Sequence, residues 1–218
     1  MKKGYHQVRF HFSQTLSILL GFWCGGCVSL LPEKGPTPTK YTLAVTPEDA
    51  LASKGRSASP KIIKILTPLA EDTYQTTRVV ILLEKAGTLQ SDYVADVLWS
   101  DALPSLVQHR LVDYMTRAHV FKGVLHGDES ARADLLLLPT LEAFALRKSG
   151  TGDLMATVHL RIKLVDDKSR RLVGTHGFMQ EKVVNHPTQG ASIVALEEAF
   201  TDVLRQINEW LRAQLHGF

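Results

Sequence analysis

The side chains most open to covalent chemistry are two thiols, Cys24 and Cys27, and no cysteine follows them. Gly25 and Gly26 precede Cys27 and leave an extended backbone unobstructed for a processing enzyme, whereas Cys24 follows the bulky Phe22 and Trp23. The spacing assigns acylation to Cys27, as the first residue of a mature chain from which residues 1–26 have been removed. Without a later cysteine, the rest of the chain has neither a disulfide framework nor a thiolate zinc site.

What precedes Cys27 fits that assignment. Lys2, Lys3 and Arg9 form a basic region, and Leu16 to Trp23 is an apolar run. Eight apolar residues make about 12 Å of helix against roughly 30 Å of hydrocarbon, too short to anchor by spanning. The layout is that of an export signal, and its end resembles a bacterial lipobox. A diacylglyceryl thioether with an N-acyl chain buries about 0.8 kcal/mol per CH₂, enough for permanent anchoring.

Other reactive constellations are weak. The sequence contains no G-x-S-x-G, P-loop, H-E-x-x-H or S-x-x-K motif, and Gly150-Thr-Gly152 reads as a hairpin turn. Pairing Asp166 with Ser169 across a two-residue turn sets His159 opposite His176, about 5 Å apart at Cβ. That places two imidazoles on a polar sheet face, where they are surface residues or half of a metal site with no third ligand. The same register sets Leu172 beside Lys163 and Phe178 beside Thr157, so this face is covered by a helix or by another subunit. No metal or cofactor is expected.

Charge removes another class. The chain has 25 Lys and Arg against 22 Asp and Glu. Removing Lys2, Lys3 and Arg9 with the signal leaves 22 against 22, and a neutral domain lacks the basic field that nucleic-acid binding needs. At 44% hydrophobic and 22% charged residues, the composition is that of a globular chain.

The elements that must carry any site follow from periodicity. Residues 27–40 form the acylated cysteine and a Pro-rich flexible tether, and 41–218 form one domain. Short strands are expected at Tyr41 to Val45, Ile62 to Leu66 and Arg78 to Leu83, with connections at 46–60 and 67–77. A longer strand runs from Leu135 through Arg147. Residues 155–165 alternate, with Val158, Leu160, Ile162 and Leu164 on one face, and residues 171–184 return as the partner strand. Helical spacing predicts one amphipathic helix from Trp99 to Arg117, capped by Ser100, and a second from Ser192 to Leu215. The expected fold is α+β: a mostly antiparallel sheet with two main helices packed on it.

Several stretches in order resemble the ABC-type transport auxiliary lipoprotein family. They are Cys27-Val-Ser-Leu-Leu-Pro32, Tyr41-Thr-Leu43, Val79 to Gln90, Trp99-Ser-Asp-Ala-Leu-Pro104, Ala133 to Leu137, Thr140 to Phe144 and Ala195 to Phe200. The resemblance implies a non-enzymatic accessory subunit that partners a mammalian-cell-entry-domain protein and an ABC permease and ATPase in moving lipid between membranes, with a ring of copies as one possible assembly. It implies attachment to the periplasmic face of the outer membrane, because Val28 is not the Asp that retains such proteins in the inner membrane. It points to Gly87, Thr88, Leu89, Gln90, Ser91, Asp92 and Tyr93, with Trp99 and Pro104, as the partner surface. The alternative is a structural or regulatory lipoprotein, such as an activator of cell-wall synthesis, and a hydrolase is a third class.

If Cys27 carries the lipid, Cys27→Ser abolishes incorporation of labelled palmitate and moves the protein to the soluble periplasmic fraction. Undiminished labelling of that variant would refute the assignment.

Overall fold

The 14-residue strand β7, Leu135–Lys148, is the longest among the described residues, and its sequence explains its place. Leu135, Leu137 and Leu141 are fully buried on one phase, then Phe144 and Leu146 on the other. A β-bulge between Leu141 and Ala143 makes the switch, inserting Glu142 opposite an uninterrupted partner. We describe the fold from a computed structural model covering residues 37–44 and 59–215. The predicted signal, Cys27 and most of the tether lie outside the described residues, as does most of the 46–60 connection. All described residues fall within one unit, Thr37–Phe218.

The remaining strands are β1 (Thr39–Tyr41), β2 (Ser59–Ile65), β3 (Leu69–Ala70), β4 (Arg78–Lys85), β5 (Thr88–Trp99), β6 (Phe121–His126), β8 (Leu154–Asp166) and β9 (Leu172–Val183). The helices are α1 (Leu103–Arg117) and α2 (Gln189–Leu215). One edge of β7 is taken along its whole length by β8, antiparallel. Three parallel segments share the other edge in turn: β2 at Leu135 to Leu137, β3 at Thr140 and Leu141, and β4 at Ala145 to Lys148. Pro139, which has no N–H to donate, sits where β2 has ended and β3 has not begun. From this fork, β6 extends β2, while β5 and then β1 extend β4.

The expected α+β class holds, but the sheet is mixed rather than mostly antiparallel. Alternation specifies which face a residue occupies and carries no information on strand direction. The crossover through α1 from β5 to β6 permits parallel pairing of β6 with β2. Smaller corrections follow from backbone hydrogen bonding. Thr39 and Lys40 of the predicted tether are already in β1, which ends at Tyr41. The 67–77 connection contains β3 and a 3₁₀ turn, Asp72–Tyr74. Ser100 is not a cap: Trp99 ends β5, and α1 begins at Leu103 with Pro104 in its first turn, where the missing N–H is harmless.

Both helices lie on one face. Val158, Leu160, Ile162 and Leu164 of β8 are fully buried there, and α2 buries Ile193, Leu196, Phe200, Val203, Ile207 and Leu211 at helical spacing. Trp99, Phe144 and Phe200 form an edge-to-face chain with centroids 5.8 and 5.7 Å apart, joining β5, β7 and α2. Beyond β1, the chain closes the seam between the helices. Arg110 Nη2 of α1 donates to the Thr42 hydroxyl at 3.3 Å, Leu43 is fully buried, and the Ala44 N–H donates to Glu197 Oε1 of α2 at 2.8 Å.

Truncating the middle of that core should be expensive. Trp99→Ala is expected to lower the unfolding free energy by about 3–5 kcal/mol in urea titration, and Trp99→Phe by clearly less.

Candidate functional site

The segment singled out as a partner surface folds as the β4–β5 hairpin. Its turn is Ala86-Gly87, with φ of 50° and 76°, the double left-handed conformation that a two-residue hairpin of matching twist demands and that Gly87 supplies without strain. Lys85 pairs with Thr88, Glu84 with Leu89, Leu83 with Gln90, Leu82 with Ser91, Ile81 with Asp92 and Val80 with Tyr93. Thr88 to Asp92 are exposed, and Tyr93 is half-buried beneath the Arg78 guanidinium, 3.8 Å from the ring centroid. Among the described residues, β1 covers the far edge of β5 only from Val97 to Trp99. Gly87 to Tyr93 therefore offer an accessible strand edge. Trp99 and Pro104 do not belong to that surface: both are buried, Trp99 at 1% exposure.

The histidine pair is not formed. Asp166 closes the β8–β9 turn with Arg171, not Ser169, and its Oδ1 accepts from both the N–H and the hydroxyl of Ser169 at 2.7 Å. Arg170 takes φ of 58°, lengthening the turn. These hydrogen bonds hold the Asp166 carboxyl below the usual range. The longer turn moves the register by two residues, and a β-bulge at Val173, between the Val165–Leu172 and Leu164–Gly174 pairs, adds a third, so every β9 side chain beyond the bulge changes face. His159 now faces Met179 and His176 faces Ile162, on opposite sides of the sheet. Among the described residues, no group of three or more His, Cys, Asp or Glu could hold a metal.

The same shift resolves the apolar residues assigned to the polar face. Phe178 lies opposite Leu160 on the helix side, buried against Trp210 at 5.9 Å, while Leu172 remains 58% exposed. Gly174 lies under α2 as well. A Cβ there would stand 3.1 Å from Trp210 and Gln214 side-chain atoms. On the outer face, the bulge residue Glu142 receives His159 Nε2 at 3.0 Å and Arg161 through two guanidinium nitrogens.

Sequence reasoning missed a cleft of about 330 Å³ beside the first half of α2. It is lined by Ala44, Lys182, Val194, Glu197, Glu198, Thr201 and Asp202. Helical periodicity showed its acids only as the polar side of an amphipathic helix, because the other wall comes from β9 and Ala44. Burial pushes the Glu197 carboxyl up, against the opposing Ala44 N–H and the Arg110 charge. Burial also raises Asp202, but bonds from Lys182 at 2.7 Å and Arg205 at 3.3 Å outweigh it and hold that carboxyl down. At the far side of the helix layer, His109 of α1 stacks on His126 at 5.0 Å, and His126 Nδ1 lies 2.6 Å from Asp128.

The two carboxylates should respond oppositely to pH. A depressed pKa means that Asp202 stabilises the fold above its unfolded pKa and loses this as pH falls through the folded one. A raised pKa means that ionised Glu197 reduces stability as pH climbs from its unfolded to its folded value. In thermal melts Asp202→Asn should destabilise at neutral pH, with the deficit shrinking in acid. Glu197→Gln, whose amide oxygen can still accept from Ala44, should stabilise at neutral pH only.

Residues 41–208 match the family model described as ABC-type transport auxiliary lipoprotein component. A Xanthomonas campestris protein assigned to the family DUF330 has a similar crystal structure, with a TM-score of 0.69 at 17% identity over 83% of this chain and 96% of that one. A second crystal structure, of an uncharacterised protein, gives a TM-score of 0.60 at 13% identity over 81% and 99%. An uncharacterised protein of Bradyrhizobium diazoefficiens is 26% identical over 159 residues, 73% of this chain. The aligned region spans only 41% of that relative's length.

Proposed function

The chain belongs to the ABC-type transport auxiliary lipoprotein component family, and from that premise we propose that it is a non-enzymatic, lipid-anchored accessory subunit of a system moving lipid between membranes. In this reading Cys27 carries the acyl anchor in the inner leaflet of the outer membrane, and the domain works on the periplasmic side. Its partners are a mammalian-cell-entry-domain protein and the associated permease and ATPase. The observation that carries the proposal is the family match over nearly the whole domain.

The free edge of β5 supports a docking role. Among the described residues no strand pairs with its outer edge from Thr88 to Asp92, which can accept an extended segment of a partner as an added strand, and the side chains there are accessible. The domain itself supplies a rigid support, because β4 is stitched to β7 directly behind that edge.

Affinity purification of the detergent-solubilised protein tests the reading. The expected result is co-purification of a mammalian-cell-entry protein with permease and ATPase subunits, lost on replacing Ser91, whose N–H points away from β4, by Pro, which blocks strand addition. Recovery of cell-wall synthases in their place would overturn it in favour of a regulatory lipoprotein. The mass of the solubilised protein alone reports whether it forms a ring of copies.

A further inference from the structure

The outer face of the sheet, on which no helix lies among the described residues, has an apolar corner at its hairpin end. The registers of three neighbouring strand pairs set Leu82, Arg147, Met155 and Val183 in one continuous row across β4, β7, β8 and β9. Alternation places this row opposite the helices: Ala156 and Lys182, the next row, face α2, with Lys182 bonded to Asp202. Val183 is 62% exposed, and Met179 on the same face of β9 is 50% exposed. Leu89, on the same face near the hairpin turn, is 55% exposed. These account for half of the six large apolar side chains exposed among the described residues, the others being Leu69, Leu172 and Val194.

The path of the chain says what can cover this corner. β1 runs parallel to β5, which leaves the hairpin at Thr88 and ends at Trp99. The chain therefore enters β1 from the hairpin side. Nine residues separate Cys27 from Thr37, so the ten steps between them reach at most about 35 Å when extended. The strand from Thr88 to Val97 is about 30 Å long. A lipid on Cys27 can thus hold the hairpin end at a bilayer without the tether crossing the domain. At this end the exposed cations Lys85, Arg147 and Lys148 stand among the acids Glu84, Asp153 and, between Met179 and Val183 on the same face, Glu181, which accepts from the Thr157 hydroxyl at 3.2 Å. Protruding aliphatic side chains with Lys and Arg beside them suit the headgroup boundary of a phospholipid surface.

We infer that this corner, centred on Val183 and Met155, docks on the phospholipid bilayer to which the protein is tethered. The inference rests on the anchored reading above and assigns the domain an orientation: hairpin end on the membrane, β8–β9 turn away from it.

The test uses the acylated protein in vesicles of phosphatidylethanolamine and phosphatidylglycerol, with a fluorophore on Val183→Cys or, as the distal control, Leu172→Cys. The Val183 label should be quenched by doxyl lipids and shielded from iodide, and the Leu172 label should show the reverse. Equal iodide access at both positions overturns the docking. So does shielding of Val183 that persists in detergent without vesicles and grows with protein concentration, which would assign the corner to a second copy. A chain carrying Cys27→Ser and an N-terminal His tag, held on nickel-chelating vesicles, separates the two readings. If the native protein fails to float with vesicles but the tagged chain still shields Val183, the anchor is wrong and the docking stands. Replacing Lys85, Arg147 and Lys148 by Gln should weaken binding of the untagged Cys27→Ser chain to the same vesicles by about fivefold per residue. Unchanged binding would also refute the proposal.

Discussion

A strand has two hydrogen-bonding edges, and the way β7 distributes its two determines the rest of this molecule. One edge is given whole to β8, so β7, β8 and β9 form a continuous antiparallel floor on which α2 lies. The other edge is divided among β2, β3 and β4, so the sheet forks. Every buried backbone group needs a partner, and the divided edge meets that need only because Pro139 falls at the break and Glu142 bulges outward. The bulge also moves the buried phase from Leu141 to Phe144, bringing the Phe144 ring between Trp99 and Phe200.

The fork separates the hairpin from the wall of the helix layer. Its β4 branch carries the hairpin, with the free β5 edge and the entry of the chain through β1. Its β2 branch carries β6 and, through α1, the wall of the helix layer. Thr42 to Ala44 tie the branches together across the helices, since Leu43 fills the seam and Ala44 bonds to Glu197. A domain built this way presents an edge and an outer corner from a stiff base. That suits a protein whose family works as an auxiliary component of a larger transport assembly.

The cleft beside α2 shows how a neighbourhood tunes like groups apart. Glu197 and Asp202 lie on one helix within two turns of each other, yet one carboxyl is raised and the other lowered. The difference is the company: a backbone N–H and a more distant guanidinium for Glu197, two direct cationic hydrogen bonds for Asp202.

Local physics in the sequence was enough for the two helices, for strands β4, β7, β8 and β9, and for the buried face of β8, because burial of one face imposes a period on the residues themselves. Gly87 to Tyr93 came to notice only through the family resemblance, with no period of its own to mark it. Strand direction, the forked edge and the cleft came only with the tertiary structure, since none of them leaves a period in a single segment. The β8–β9 register is the sharpest case. Asp166 bonding to Ser169 lengthens the turn by an even step, and a bulge at Val173 adds the odd residue that moves His176 and Phe178 to the helix side of the sheet. Pro104 was legible as a helix-starting residue, whereas Trp99, read as the start of the same helix, ends β5, and its burial depends on Phe144, which lies far along the chain.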